Sequence, residues 1–137
     1  DFCLSRGLGD VYKRQGLLRG REATSHWRYL ELLTIVGAKP VSRRVVEDGR
    51  AISGAGVTAG IDFGFTLVAR LCDDTVAKRL QLGIEYDPDP PFRSGHPSVA
   101  DPRDVEAYEA QTAPRFAERE RLLHETVARR ARSTPSP

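Results

Sequence analysis

Val45-Val46-Glu47-Asp48-Gly49-Arg50-Ala51-Ile52-Ser53-Gly54-Ala55-Gly56-Val57-Thr58 is the stretch whose reading decides the fold. Two short apolar runs flank Asp48-Gly49. Asp-Gly supplies the two positive-φ positions of a tight primed turn, which predicts a hairpin over 45–52. Ser53 to Val57 reads as a glycine-rich strand exit, where backbone can approach a neighbour or a ligand closely. Thr58 stands where a hydroxyl caps the next helix. Ile61, Phe65, Val68 and Cys72 share one face of that helix, and Leu67 and Leu71 widen it. The helix is therefore expected to be mostly buried, with Cys72 a core thiol.

Upstream, Ala23-Thr24-Ser25 reads as a short strand. From Trp27, the residues Leu30, Leu33, Ile35 and Val36 fit a short amphipathic helix that stops at Gly37, and Pro40-Val41 begins an extended segment. Downstream, Asp73 or Asp74 caps a second helix whose Val76, Leu80 and Ile84 form one stripe. Asp87-Pro88-Asp89-Pro90-Pro91 ends it, and Phe92 to Ala100 is a loop. Residues 101–132 form a charged helical tail with a kink or break at Pro114, and 133–137 a frayed end. Strand, helix, hairpin and helix in alternation predict an α/β sheet covered by helices. The strands after Gln15 are too few for a central parallel sheet, so residues 16–100 read as the C-terminal part of a domain.

Composition removes several classes of function. The chain has 137 residues with 29% charged side chains and a net charge of +2, which fits neither a disordered polyelectrolyte nor a basic nucleic-acid binder. Arg129, Arg130 and Arg132 complement a helix C-terminus rather than forming a nucleic-acid patch. No apolar stretch approaches the roughly 18 residues of a membrane span, and no charged-then-apolar leader is present, so a cytoplasmic location without membrane contact is expected. Cys3 and Cys72 make neither a disulfide framework nor a metal site. Gly54, Gly56 and Gly60 lack the spacing of a dinucleotide fingerprint, and no cofactor is expected.

Residues 1–15 have no sustained periodicity. Asp10-Val11-Tyr12-Lys13-Arg14-Gln15 is the direct translation of GATGTGTATAAGAGACAG, the mosaic-end adapter of transposon-based sequencing libraries. The reading frame is therefore expected to run through an adapter, and residues 1–15, Cys3 included, are excluded from fold reasoning. A native N-terminal arm is the alternative.

Three stretches carry a family resemblance. They are Gly16-Leu17-Leu18-Arg19-Gly20-Arg21-Glu22-Ala23-Thr24-Ser25-His26-Trp27, then Arg44 to Gly49 with Ser53 to Phe63, then Gln81 to Pro88 with Pro90-Pro91-Phe92 and Gly95-His96-Pro97. The first two resemble the DJ-one/PfpI superfamily, which is related to class I glutamine amidotransferases. The third resembles its isonitrile hydratase branch. The resemblance implies a flavodoxin-like three-layer sandwich, of which this chain holds the C-terminal part with a long helical tail. It also implies a cofactor-free homodimer acting on a small-molecule isonitrile. AraC-type transcription regulators carry a similar ligand-sensing domain and share the motif from Ala55 to Asp62. They continue into a helix-turn-helix domain of about 100 residues, which Asp104 to Arg132 do not supply. Another DJ-one/PfpI hydrolase or a glyoxalase-type enzyme is a third reading.

The chemistry implied by the resemblance rests on a cysteine at a sharp strand-to-helix turn, about ten residues before Gly16-Leu17-Leu18. That position falls near Arg6, where there is no cysteine, and Cys3 is displaced by about a helical turn. The acidic partner of the first βα unit lies upstream as well. The fragment is therefore expected to be inactive and to retain only the wall of the site: His26, Ala55, Gly56, Val57 and Thr58. Without the resemblance His26 reads as a strand-end histidine bonded locally; with it, as a residue beside the nucleophile. Val57 would pack on the helix bearing the cysteine, and the methyl of Ala55 narrows the site. Asp62 reads as a dipole-stabilising carboxylate, Glu85 and Tyr86 as loop anchors, His96 as part of an ordered surface loop, and His124 as a solvated helix residue.

Overall fold

The computed structural model describes residues 17–133. The readings made for residues 1–16 and for the tail beyond Ser133 lie outside them. Among the described residues, four short strands, one 3-10 helix and three α-helices follow in order: β1 (Glu22–Ala23), the 3-10 helix (Trp27–Val36), β2 (Lys39–Pro40), β3 (Val45–Asp48), β4 (Ala51–Gly54), α1 (Ala59–Leu71), α2 (Asp74–Gly83) and α3 (Pro102–Ser133).

The first unit is a strand, a helical crossover and a parallel strand, with Glu22 opposite Lys39 and Ala23 opposite Pro40. Pro40 lacks an N–H, and the ladder runs instead through Lys39 N to Arg21 O at 2.7 Å and Val41 N to Ala23 O at 2.8 Å. The strand expected at 23–25 is thus shifted to 22–23. Thr24 and Ser25 are buried but leave the ladder, because Thr24 bonds to side chains and loop carbonyls instead.

The crossover helix was expected to be amphipathic and is, but it winds as a 3-10 helix. Its apolar residues explain this. Leu30, Leu33 and Val36 recur at every third position, as do Tyr29, Leu32 and Ile35. In a 3-10 helix residues i and i+3 eclipse, so each set forms a straight row. The first row packs with Ala23, Ala38 and Leu18. The second packs with Leu123 and Phe116 of α3, with Ile35 and Val36 at its edge. Gly37 stops the helix in the left-handed region at φ 78°, its N–H reaching the carbonyls of Leu33 and Thr34.

The predicted hairpin forms, with Val45 opposite Gly54 and Asp48 opposite Ala51. The turn residues are Gly49 and Arg50 rather than Asp48 and Gly49. Only Gly49 has positive φ, at 61°, so the pattern is that of a II′ turn. Asp48 is released to bond elsewhere: its Oδ2 accepts from Glu22 N at 2.8 Å. Ser53 Oγ accepts from Thr24 N at 3.0 Å. These two side-chain bonds join the parallel pair to the hairpin, whose Val46 is 1% exposed.

Helix α1 packs on the hairpin and on α2. It is half-buried rather than mostly buried: only Ala59 is buried, Ile61 is exposed, and Leu71 is 75% exposed. Cys72, expected in the core, is an exposed free thiol. Its place at the C-terminal end of α1, beyond exposed Leu71, carries it off the packed face. Asp73 caps α2 as expected, its Oδ1 accepting from Val76 N at 2.9 Å. The Val76–Leu80–Ile84 stripe is mostly exposed; Ala77 makes the buried contact. Residues 86–101 are irregular. Helix α3 runs unbroken through Pro114, at the loss of one backbone hydrogen bond. It is held to the 3-10 helix: Arg28 lies 4.2 Å over the Phe116 ring, Arg119 lies 4.1 Å over Tyr29, and Tyr29 stacks on Phe116 at 6.2 Å.

Candidate active site

The exit of β4 meets the start of the 3-10 helix. Ala55 N donates to Arg44 O at 2.8 Å, which fixes the chain as it leaves the hairpin. The next residue, Gly56, faces His26: a Cβ built on Gly56 would stand 3.5 Å from His26 Cδ2. Of the five wall residues named from the sequence, Ala55 and Gly56 are half-buried at this junction, and His26 is half-buried against it. Val57 and Thr58 are exposed, Val57 at 78%. Thr58 occupies the N-cap position of α1 but makes no side-chain cap. Its φ and ψ of −71° and −22° are already helical, whereas a capping hydroxyl needs the extended region.

His26 itself caps the 3-10 helix. With extended backbone, it accepts Arg28 N at Nδ1 over 3.2 Å. The neutral ring therefore carries its hydrogen on Nε2, the tautomer this bond dictates. Burial, and second the charge of Arg119, push its pKa below the ordinary histidine value. Near neutral pH the site thus presents an uncharged imidazole with an Nε2–H donor, its orientation held by the backbone. Trp27, Tyr29 and Tyr108 surround the ring at centroid distances of 5.6, 5.8 and 6.2 Å.

Beside this ring opens a cleft of about 290 Å³, with His26, Trp27, His96, Asp104 and Tyr108 among its lining residues. His96, read from the sequence as an ordered loop residue, is ordered by three contacts. Its Nδ1 meets Ser98 Oγ at 2.8 Å and accepts Ser98 N at 3.2 Å, and its Nε2 lies 3.3 Å from Ser42 Oγ. It thereby fastens the 92–100 loop to the segment entering β3. Its convergence with Trp27 and Tyr108 on the His26 cleft was not visible in the sequence. These residues sit on a 3-10 helix, a loop and a distant helix, and no local pattern links them.

Asp62 does more than complement the α1 dipole. Arg44 Nε pairs with its Oδ2, and Tyr86 Oη donates to its Oδ1 at 3.0 Å. Tyr86 is thus a loop anchor as expected, and Glu85 turns the chain at φ 52°. His124 is exposed. Among the described residues, no group of three or more His, Cys, Asp or Glu side chains could hold a metal. No helix among them is long and apolar enough to cross a membrane.

This arrangement is part of a flavodoxin-like α/β fold with a long C-terminal helix. A crystal structure of a ThiJ/PfpI family protein from Pseudomonas syringae superimposes with a TM-score of 0.76 at 45% identity, over 79% of this chain and 45% of that one. Residues 7–70 match the DJ-1/PfpI family, as the motifs implied. The match begins within the segment read as adapter-derived. The chain is also 43% identical over 114 residues to the isonitrile hydratase of Pseudomonas putida, which is 83% of this chain and 50% of that protein. It spans about half the length of the relatives it matches.

Proposed function

We propose that the chain is the C-terminal part of an isonitrile hydratase-like enzyme, which converts an isonitrile and water to an N-substituted formamide. The observation that carries this is the 43% identity to isonitrile hydratase, which spans 114 residues rather than one motif. The junction of Gly56 with His26 supports it by giving the chain one wall of a small-molecule site.

In the whole enzyme a cysteine thiolate at a helix N-terminus attacks the terminal isonitrile carbon, and a carboxylic acid protonates that carbon. Water adds to the thioimidate, the C–S bond breaks, and thiolate and formamide are released. Between Gly16 and Pro137 the only cysteine is Cys72, exposed at the far end of α1. With residues 1–15, Cys3 included, read as adapter translation, this reading puts the nucleophile and its acidic partner in the parent gene upstream of Gly16 and gives the 137-residue chain no turnover of its own. Residues 1–15 as adapter translation, a homodimer and a cytoplasmic location belong to the same proposal.

The upstream sequence of the source gene tests the reading. A cysteine on a strand-to-helix turn about ten residues before Gly16, with an early Asp or Glu, is expected. Genomic sequence that encodes Asp10 to Gln15 as they stand, with no such cysteine, overturns it.

A further inference from the structure

The chain from Asp87 to Ala100 carries four prolines, Pro88, Pro90, Pro91 and Pro97. Each fixes its own φ and lacks an N–H, so the segment is stiff and does not bond itself into a helix or a ladder. Its ends are pinned. Upstream, Tyr86 Oη donates to Asp62 Oδ1 at 3.0 Å, and Tyr86 O accepts from Gln81 Nε2 at 3.1 Å. Downstream, Asp101 Oδ1 accepts from Arg103 N at 2.9 Å at the start of α3. Between the pins, Asp87 N donates to Glu85 O only two residues back. Among the described residues, one hydrogen bond then reaches from the segment to a distant part of the chain, His96 Nε2 to Ser42 Oγ at 3.3 Å. Ser98 N donates to His96 Nδ1, so the neutral ring carries its hydrogen on Nε2, directed at the Ser42 hydroxyl. The carbonyl of His96 accepts from Val99 N and Ala100 N, both at 3.0 Å, and so gathers the turn behind it. Ser94, His96, Pro97 and Ala100 line the cleft together with His26 and Trp27. Phe92, near the middle of the segment, is 77% exposed, so apolar burial does not hold the chain there.

We infer that this segment is a gate over the cleft, and that the Ser42–His96 hydrogen bond is its clasp. A stiff strap fixed at both ends, and held along its span by one exposed bond, opens locally at little cost and without unfolding the rest of the protein. When the clasp parts, Ser94, His96, Pro97 and Ala100 leave the cleft wall together, because the ring and carbonyl of His96 keep the turn from 96 to 100 intact. When it is made, the wall stands and Trp27 is covered from that side. Ser42 is thus a positioning residue: it does not line the cleft, and it sets the wall through His96. The inference concerns access to the cleft and is independent of the chemistry proposed above.

Two readouts test the gate in the purified 137-residue chain. Arg93–Ser94 is an exposed peptide bond inside the segment, and Arg50 is an exposed residue of the hairpin turn outside it. Brief trypsin digestion followed by mass spectrometry gives the rate of cleavage after Arg93 relative to that after Arg50. Trp27 is the only tryptophan of the chain, so acrylamide quenching of its emission reports access to the cleft. Ser42 and His96 are both exposed, so neither substitution below removes core packing. Ser42→Ala is expected to raise the Arg93 ratio about fivefold, the opening that loss of one exposed hydrogen bond allows, and to make Trp27 more readily quenched. Ser42→Thr, which keeps the hydroxyl, leaves the ratio within about twofold of the parent. His96→Phe raises it at least as much as Ser42→Ala, and adding Ser42→Ala to His96→Phe changes little, as two partners in one bond require. An unchanged ratio in Ser42→Ala, Ser42→Thr as open as Ser42→Ala, additive effects in the double variant, or faster cleavage with unchanged quenching of Trp27 overturns the inference.

Discussion

Tyr86 Oη donates a 3.0 Å hydrogen bond to Asp62 Oδ1 and so ties the chain beyond α2 to the first turn of α1. Arg44 occupies the other carboxylate oxygen from the hairpin side. Three segments distant in sequence thus meet at one carboxylate. Asp62→Asn loses the ion pair and the dipole interaction together, and should cost about 1 kcal/mol in urea denaturation. Tyr86→Phe should cost less, because the Arg44–Asp62 pair survives it.

Tyr86 also gives an alkaline signature. Loss of hydration, and then its bond to Asp62, raise its pKa above the ordinary tyrosine value of 10.0. Above that pH the unfolded chain releases this proton while the folded chain keeps it, so the contribution is complete below about pH 10 and lost as pH rises through the folded value. Denaturation curves from pH 9 upward should fall more steeply for the parent chain than for Tyr86→Phe. Equal slopes would contradict the bond.

His26 titrates in the opposite sense. Burial and Arg119 lower its pKa below 6.5, so from that value downward the unfolded state binds the proton first. Its contribution to stability is complete above about pH 6.5 and is lost as pH falls toward the folded value. Ring resonances followed by NMR should give His26 a midpoint below 6.5, and His26→Gln should flatten the acid limb of the stability profile between about pH 5 and 7.

Gly49 and Gly56, which both face other side chains, should respond differently to alanine. Gly49 sits at φ 61°, and a Cβ there would lie 2.8 Å from an Arg21 guanidinium nitrogen. Gly49→Ala should destabilise the hairpin by about 1 kcal/mol or more. Gly56 has room for a methyl at ordinary contact with His26, so Gly56→Ala should keep the fold, whereas Gly56→Leu displaces the imidazole. Thermal melts and the His26 chemical shift separate these outcomes.

Packing against the 3-10 helix should dominate the mutational costs. Leu33 is 1% exposed, and Leu33→Ala should cost about 3 kcal/mol. Half-buried Phe116 loses its stack on Tyr29 and its contact with Arg28, for about 2 kcal/mol in Phe116→Ala. Cys72→Ser should be nearly neutral, and native protein should be alkylated at Cys72 by iodoacetamide, as peptide mapping can show.

The sequence was most legible where one local rule decides. Asp73 caps its helix, Gly37 stops one, and 45–52 forms a hairpin, because side-chain oxygens, positive φ and strand alternation act over a few residues. It misled where packing partners decide. The spacing of Leu30, Leu33 and Val36 suits an α-helix and a 3-10 helix alike until two separate surfaces claim its two rows. Cys72 looked like core because periodicity reports an apolar face, not what covers it. The candidate site divided in the same way. His26 and the 55–58 turn could be named from their motifs, whereas Trp27, His96 and Tyr108 are gathered only by the fold.

The central claim is tested most directly by incubating cyclohexyl isocyanide with two purified proteins and measuring N-cyclohexylformamide by gas chromatography. One is the 137-residue chain, the other the product of the same gene extended upstream. The account predicts formamide from the extended protein, its loss when the upstream cysteine is replaced by serine, and none above a buffer blank from the 137-residue chain. Turnover by the 137-residue chain itself, or none by the extended protein, would contradict it.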